Sequence, residues 1–202
     1  MITIIDYGAG NIQSVTNALE YMGAHYQVSH NEQDILRADH VILPGVGAYG
    51  SAMKKLEESG LIACIQEVVL QGIPFLGICL GMQLLFDSSE EAPNVSGLGI
   101  LKGRILHFPT DMGLKIPHIG WNSMERFRDG RLYRGFEYDP YVYYVHSYYL
   151  QAEDPTIVTG ISEYGINIHA SIEYKNVFGC QFHPEKSGDE GLRILRNFIL
   201  TT

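Results

Sequence analysis

Short runs of β-branched and apolar residues alternate with segments of helical periodicity through the first half of the chain. The predicted strands are residues 2–6, 26–29, 40–43 and 75–78, and the predicted helices are residues 11–22, 52–59 and 61–71. This alternation is typical of a parallel sheet with helices on its faces. The run at 75–78 is apolar throughout, which predicts a strand at the buried centre of that sheet.

The second half of the chain has a different pattern, in which strand-like segments are separated by short turns. The predicted strands are residues 103–107, 141–149, 157–161, 169–174 and 177–182. Short turns join antiparallel neighbours, so we expect mixed or antiparallel additions to the sheet. An amphipathic helix is predicted at 192–200. Because no linker or repeat divides the pattern, we expect residues 1–202 to form a single domain.

The composition narrows the classes of function. The chain of 202 residues carries a formal net charge of -9 without a cluster of Lys and Arg, so nucleic acid and anionic membranes are not expected partners. The longest apolar run, 72–86, is too short for a membrane span and is interrupted by Pro74 and Gln83, which predicts buried core. The first residues lack a basic signal region and resemble a strand, so we expect a cytoplasmic protein.

The three cysteines differ in their surroundings. Their odd number and spacing predict neither a disulfide framework nor a metal site. Cys64 lies in a helical pattern and Cys180 in a strand pattern, where we expect small buried apolar residues. Cys79 is different, because Gly77 and Gly81 flank it at two residues on either side.

Gly77, Cys79 and Gly81 form a cysteine version of the G-x-S-x-G nucleophile turn. In a sharp turn from strand to helix, a Cβ at either glycine would collide with neighbouring backbone. The thiol would then stand at the carboxyl edge of the sheet, beside a helix N-terminus that favours the thiolate. The pattern is short, and a structural cysteine between packing glycines fits it equally well.

A thiolate nucleophile needs a base and a group that orients the base. His183 and Glu185, separated by Pro184, offer both. We expect an extended segment in which the two side chains point the same way, at the same sheet edge as Cys79. The H-x-E pattern by itself is common on protein surfaces. The histidines in apolar surroundings are expected to be structural, namely His118, His146 and His169.

Attack on a carbonyl creates an oxyanion that needs N–H donors. The N–H of Leu80, directly after the nucleophile, is one candidate. The loop of Gly45, Val46 and Gly47 is the other, because its glycines let backbone N–H groups turn toward the site, although a tight turn without function would look the same. The stretch "DYGAGN" at 6–11 lacks the third glycine of a dinucleotide site, so no cofactor is expected.

Three stretches together resemble the class I (triad) glutamine amidotransferases. They are "PGVGAYG" at 44–50, "GICLGMQLLF" at 77–86 and "GCQFHPEKS" at 179–187. Their order and spread cover essentially the full chain. The resemblance implies a flavodoxin-like three-layer α/β sandwich, with a mostly parallel central sheet and antiparallel strands in the second half.

The same resemblance implies a mechanism and a substrate. Cys79 would attack the side-chain amide of glutamine, His183 would transfer the protons, and Glu185 would orient His183. Ammonia would leave, and water would release glutamate from the thioester. Further substrate contacts are implied for Gly47, Gln83, Ser147 and Tyr148.

Two more stretches, "IIDYGAGNIQSV" and "PHIGWN", resemble the branch of the family that serves histidine biosynthesis. That branch implies a heterodimer with a (β/α)₈-barrel cyclase subunit, which accepts the ammonia in shelter from water. No phosphate or nucleotide motif suggests an acceptor site in this chain. The resemblance further implies that Val46 holds its N–H away from the oxyanion until the partner shifts the loop. The residues implied to face the partner are Asn11, Trp121, Tyr143 and Lys186.

Departures from the family pattern are small, and three alternatives stay open. Cys180 stands where Val is common and Ile119 where Met is common; both changes conserve volume approximately. The alternatives are the glutaminase subunit of another synthase, a stand-alone cysteine hydrolase of the same fold, and a scaffold that has lost its chemistry. Gln83 and "HPEKS" argue against the hydrolase, and the intact Cys79, His183 and Glu185 argue against the scaffold.

Overall fold

A computed structural model describes residues 1–111 and 113–201 and shows alternating helices and strands followed by a strand-rich half. The helices are α1 (Ile12–Tyr21), α2 (Glu32–Leu36), α3 (Tyr49–Glu58), α4 (Leu61–Leu70), α5 (Leu80–Gln83) and α6 (Gly188–Ile199). The strands are β1 (Ile2–Ile5), β2 (Tyr26–Ser29), β3 (His40–Gly45), β4 (Phe75–Cys79), β5 (Ser88–Ser89), β6 (Gly103–His107), β7 (His118–Ser123), β8 (Glu125–Arg126), β9 (Tyr141–His146), β10 (Tyr148–Ala152), β11 (Val158–Glu163), β12 (Asn167–Tyr174) and β13 (Val177–Cys180).

The main sheet has the strand order β2-β1-β3-β4-β13-β12-β11-β8. Strands β2, β1, β3, β4 and β13 are parallel, whereas β12, β11 and β8 continue the sheet in antiparallel pairing. Every residue of β4 is buried, as expected for a strand with neighbours on both edges and helices on both faces. The parallel centre and antiparallel extension predicted from the sequence are confirmed.

Helices cover both faces of this sheet, which gives the three layers. One core cluster joins the sheet to α1 and α6 through side chains such as Leu19 and Phe198. The opposite cluster joins it to α2, α3 and α4 through side chains such as Ile35, Leu56 and Ile65. None of the described helices is long and apolar enough to cross a membrane.

The predicted strand at 141–149 was wrong in its extent, because the structure divides it at Ser147. β9 pairs with β7 in a two-stranded sheet, and β10 pairs with β6 in a three-stranded sheet that also includes β5. The two halves of the segment have partners in different sheets, so the chain must bend between them. This bend brings Ser147 and Tyr148 to the carboxyl edge of the main sheet.

Other differences from the expected elements concern short segments. β5, β7, β8 and α2 were not predicted; α2 begins at an Asn31 cap, whose side chain accepts a hydrogen bond from the N–H of Gln33 at 2.8 Å. The predicted strand at 177–182 ends at Cys180. The turn between β12 and β13 has Lys175 in the left-handed region, at a φ of 53°.

Candidate active site

Cys79 is the last residue of β4 and directly precedes α5. Its backbone has a φ of 54° and a ψ of -112°, a conformation that side chains other than glycine rarely adopt. This backbone conformation turns the chain abruptly from strand to helix, so the Cys79 side chain stands at the carboxyl edge of the sheet. This is the geometry of a nucleophile turn, as predicted from the glycine spacing.

Three glycines allow backbones to meet around this turn. A Cβ on Gly81 would lie 1.9 Å from the carbonyl oxygen of Leu43, and one on Gly77 would lie 2.7 Å from the carbonyl oxygen of Gly81. A Cβ on Gly45 would lie 2.5 Å from the backbone nitrogen of Gly81. The collision predicted for side chains at 77 and 81 is therefore confirmed, and Gly45 on the adjacent strand is part of the same close approach.

The strand register brings His183 to the same edge as Cys79. β4 lies between β3 and β13, and both neighbours are parallel to it, with Gly45 paired to Cys79 and Cys180 paired to Ile78. The chain leaving β13 therefore emerges beside the nucleophile. His183 follows three residues after Cys180 and lines the same cavity as Cys79.

His183 and Glu185 form a buried pair. The Nδ1 atom of His183 lies 2.7 Å from Oε1 of Glu185, and both side chains are almost inaccessible to solvent. The Nε2 atom of His183 is buried without a hydrogen-bond partner among the described residues. Since Nδ1 is engaged by the carboxylate, Nε2 is the nitrogen available for proton transfer in the cavity.

The charges around His183 favour its protonated form. Burial lowers the pKa of this imidazole, but Cys79 and Glu185 outweigh burial and raise the pKa to about 10. A protonated imidazole beside Cys79 stabilises a thiolate, which is the nucleophilic form of the side chain. The cation therefore stands where a Cys-His pair needs it for nucleophilic attack.

The predicted extended geometry of this segment was wrong. His183 itself is extended, but Pro184–Lys186 forms a 3₁₀ turn. Proline fixes the first residue of the turn, and the His183 carbonyl accepts hydrogen bonds from the Lys186 N–H at 3.0 Å and from the Ser187 hydroxyl at 2.6 Å. The turn, and not strand alternation, places the carboxylate of Glu185 against the imidazole.

A cavity of about 340 Å³ opens beside Cys79 and His183. The residues predicted at the site that line it are Cys79, His183, Val46, Gly47, Leu80, Gln83, Ser147 and Tyr148. Gly45 does not line the cavity; it lies behind it, packed against Leu80 and Gly81. Glu185 does not line the cavity either; it contacts His183, which does. The roles of these residues remain predictions.

Several residues at the site were missed or given no role by the sequence patterns. Glu91, Pro117, Val145 and His146 line the cavity, and Gln181 contacts the nucleophile from behind. His146 was expected to be structural, and it is indeed buried and hydrogen-bonded, but at the cavity wall. No sequence pattern pointed to Gln181, because β13 ends at Cys180 and strand alternation does not extend to it.

Cys64 and Cys180 are buried, as expected for small apolar residues. Burial raises the pKa of the Cys64 thiol to about 11, and it also raises the pKa of Cys180. No group of three or more His, Cys, Asp or Glu within residues 1–111 and 113–201 could hold a metal ion. A larger cleft of about 710 Å³ along residues 126–136 contains neither a cysteine nor a histidine.

The residues expected to face a partner lie on adjoining elements next to the cavity. Trp121 on β7 is paired with Tyr143 on β9, with ring centroids 6.0 Å apart, and Trp121 is 50% exposed. The backbone of Tyr143 is bonded to both His183 and Ser187, which flank Lys186. Asn11 caps α1, which contacts the same 3₁₀ turn.

Comparisons with known sequences identify a family and its relatives. A family model described as glutamine amidotransferase class-I matches residues 3–202. The "Imidazole glycerol phosphate synthase subunit HisH" of Bacillus cereus (strain B4264) is 53% identical over 198 residues, which is 98% of this chain and 93% of that protein. The HisH subunit of Moorella thermoacetica (strain ATCC 39073 / JCM 9320) is 48% identical over 197 residues, with coverage of 98% and 93%.

Solved structures share the fold. A structure described as "Crystal structure of glutamine amidotransferase" has a TM-score of 0.77 at 17% identity, covering 98% of this chain and 97% of that chain. The structure of PurLQS from Thermotoga maritima has a TM-score of 0.75 at 22% identity, covering 98% and 96%. At such low identity these likenesses establish the fold alone.

The fold and the site define an α/β sandwich enzyme with a Cys-His-Glu group at the carboxyl edge of its sheet. Because the family model spans nearly the whole chain and relatives are about half identical over it, the chain belongs to the class I glutamine amidotransferases.

The close approach at Gly81 yields a first prediction. We expect Gly81→Ala to lower the free energy of unfolding by at least about 3 kcal/mol, because the new methyl group would collide with the backbone of β3. Gly60→Ala is the control; Gly60 has a φ of 74° and open space around it, so only the left-handed backbone should cost about 1 kcal/mol. Urea denaturation measures both, and equal losses would contradict the prediction.

The buried pair yields a second prediction. Glu185→Gln removes the carboxylate that stabilises protonated His183, so the pKa of this imidazole should fall from about 10 by about one to two units. NMR titration of histidine-labelled protein measures the shift. Glu67→Gln on α4 is the control and should leave the titration unchanged.

The same pair predicts how stability depends on pH. Because the pKa of His183 is raised from 6.5 to about 10 by folding, its protonation stabilises the fold fully below pH 6.5, and this contribution is lost as the pH rises toward 10. The difference in unfolding free energy between wild type and Glu185→Gln should therefore shrink across that window. A difference that grows with pH would contradict the assignment.

Proposed function

We propose that this chain is the glutaminase subunit of an imidazole glycerol phosphate synthase in histidine biosynthesis, and that residues 1–202 work as one glutaminase domain. It hydrolyses glutamine to glutamate and ammonia. The observation that carries this proposal is the meeting of Cys79 and the His183–Glu185 pair at one cavity, in a chain about half identical to proteins named as subunits of that synthase.

The first half of the reaction forms a thioester. The Cys79 sulfur attacks the side-chain carbonyl carbon of glutamine, and the carbonyl oxygen becomes an oxyanion. The backbone N–H groups of Leu80 and Val46 stabilise that charge. His183 then gives its Nε2 proton to the amide nitrogen, the C–N bond breaks, and ammonia leaves.

The second half restores the enzyme. Water gives a proton to His183 Nε2 as its oxygen attacks the thioester, and the C–S bond breaks to release glutamate and the Cys79 thiolate. Glu185 holds His183 Nδ1 throughout, which keeps Nε2 toward the reacting atoms and stabilises the imidazolium.

The cavity offers polar groups for the rest of the substrate. Gln83 is 5% exposed and lines the cavity, as do Ser147 and Tyr148, whose backbone follows the break between β9 and β10. Glu91 adds a carboxylate, which suits the α-ammonium group of an amino acid. Gly47 leaves room for the substrate at the rim.

The partner in this proposal is the cyclase subunit, in a heterodimer. Ammonia released into water near neutral pH would be mostly protonated and unreactive, so it must be delivered under cover. The exposed apolar side chains of Ile119 and Trp121 lie on β7, directly after Pro117 at the cavity. Apolar and aromatic side chains of this kind are enriched in protein interfaces. With ammonia, the cyclase would make imidazole glycerol phosphate and an aminoimidazole carboxamide ribotide.

The partner also provides a route for activation. Val46 is 40% exposed and is followed by Gly47 at a φ of 92°, so the peptide between them has room to turn. Partner binding would shift this loop toward the state in which the Val46 N–H meets the oxyanion. The isolated subunit would then release little glutamate.

The central test compares wild type with Cys79→Ala in the presence of the cyclase. Because only the glutamine half-reaction uses the thiol, we expect the variant to lose glutamine-dependent synthesis, whereas synthesis from added ammonium salt should continue. Formation of imidazole glycerol phosphate and release of glutamate are the two measurements. Cys64→Ala, which changes a thiol on α4, is the matched control and should retain both activities.

Two outcomes would contradict the proposed function. Glutamate release by Cys79→Ala at the wild-type rate would remove the nucleophile from its role. Wild-type hydrolysis that is unaffected by the cyclase would favour a stand-alone hydrolase.

The interface role yields a further prediction. Trp121→Ala removes a large exposed aromatic side chain from the proposed interface, so cyclase affinity should fall by about tenfold or more, as for other aromatic contacts that dominate interfaces. Tyr174→Ala is the control, because Tyr174 is 43% exposed at the opposite edge of the sheet. Calorimetric titration with the cyclase measures both affinities, and equal losses would argue against this interface.

A further inference from the structure

The side-chain amide of Gln181 lies against the nucleophile. Gln181 follows β13 directly, and its side chain is fully buried. Its Nε2 atom is 3.7 Å from the Sγ atom of Cys79, within the range of an N–H···S hydrogen bond. Its Oε1 atom is 2.9 Å from Nε2 of Gln83. One buried amide therefore touches both the nucleophile and a residue of the cavity wall.

The hydrogen bonds fix which end of this amide faces the sulfur. The backbone carbonyl of Tyr148 can only accept, so the group of Gln83 at 3.0 Å from it must be the Nε2 donor. The same Nε2 atom faces Gln181 Oε1, which must also accept. The remaining end of the Gln181 amide, its N–H group, is thus directed at Cys79.

The Tyr148 carbonyl is itself held in place. His146 Nδ1 donates to it at 2.8 Å, and His146 Nε2 then accepts from His118 Nδ1 at 3.1 Å. Burial lowers the pKa of His118 to about 4 and that of His146 to about 3, so both rings are neutral near pH 7 and each has one N–H to donate. His146 and Gln83 therefore both donate to the Tyr148 carbonyl, which lies between the two histidines and the two glutamine amides.

This arrangement has two chemical consequences. An N–H group directed at sulfur stabilises the thiolate, because the donor offsets charge in a buried site. Both N–H groups of Gln83 are engaged, so its Oε1 is the polar atom left to accept a hydrogen bond from a substrate in the cavity. A rotated Gln83 amide would present a donor there instead.

Other groups that titrate or carry charge also face Cys79. His183 approaches from the turn after β13, and Tyr7 approaches from the loop after β1. The Tyr7 hydroxyl donates to the carbonyl of Pro44 at 3.1 Å, and burial together with Cys79 raises its pKa, so it remains neutral. Gln181 differs from His183 because its N–H cannot be lost to the solvent or to the substrate.

We propose that Gln181 is a positioning residue for glutamine hydrolysis: its amide N–H holds the Cys79 thiolate, and its amide oxygen fixes the orientation of Gln83 toward the substrate. This role deepens the proposed glutaminase function and rests on it, because both contacts matter only if Cys79 is the nucleophile. Gln181 itself does not touch the reacting carbonyl group.

The experiment uses the full chain in complex with the cyclase and the variant Gln181→Met, which conserves volume approximately but has no N–H donor and only a weak thioether acceptor. Alkylation of Cys79 by iodoacetamide is followed across pH by mass spectrometry of the Cys79 peptide. We expect the midpoint of the alkylation profile to rise by about one pH unit, the size that follows when a charged group loses one hydrogen bond. The kcat for glutamine should fall about tenfold by the same reasoning, and its KM should rise as Gln83 is released.

Two further variants separate positioning from folding. Ser171→Ala removes another fully buried polar group, on β12 beside β13, whose hydroxyl is bonded to Thr159 at 2.9 Å and not to the site. It should leave the alkylation midpoint unchanged. Gln181→Glu retains the shape and an acceptor for Gln83, but its carboxylate would repel the thiolate, so the midpoint should rise at least as far as in Gln181→Met.

An alkylation midpoint that is unchanged in both Gln181 variants would overturn the proposal, and so would an equal shift in Ser171→Ala. Failure of the proposed function would look different. In that case wild type with the cyclase would release no glutamate from glutamine, while the alkylation profile would still report on the contact between Gln181 and the sulfur.

Discussion

The close backbone approach between α5 and β3 is the constraint on which the site depends. The backbone of Gly81, in the first turn of α5, lies so close to the carbonyl oxygen of Leu43 that a Cβ at position 81 would collide with that oxygen. Without this approach Cys79 could not turn out of β4 with a positive φ, and its sulfur would remain inside the sheet. The same contact brings Gly45 beside the turn, so the loop at Val46 starts where an oxyanion would form.

The central position of β4 gives this turn its neighbours. A strand with parallel partners on both sides has the ends of those partners at the same edge, so β3 supplies the Val46 loop and β13 supplies Gln181 and His183. The groups come from distant parts of the sequence but share one rim. This agrees with the general tendency of α/β sheets to bind ligands outside the carboxyl ends of their strands.

The polar groups at this edge of the sheet are buried, so their hydrogen-bond and charge partners determine which of them are protonated. An imidazole in such surroundings would ordinarily lose its proton, yet Cys79 and Glu185 keep His183 protonated. The neutral groups follow the same rule. His118 donates to His146, and His146 and Gln83 both donate to the carbonyl of Tyr148. Gln83 also donates to Gln181. These contacts connect β7, the strand that carries Trp121, with the nucleophile.

The sequence by itself determined the local features: the glycines that permit the turn at Cys79, the parallel order of the first half, and the resemblance carried by three short motifs. These can be read locally because glycine spacing and apolar periodicity act within a few residues. The tertiary structure alone decided the 3₁₀ turn that joins His183 to Glu185, the break at Ser147, and the contact of Gln181 with sulfur. The break at Ser147 and the contact of Gln181 depend on partners far away along the chain. The 3₁₀ turn depends on a local turn competing with an extended strand. A periodic pattern encodes neither the choice of partner nor the outcome of that competition.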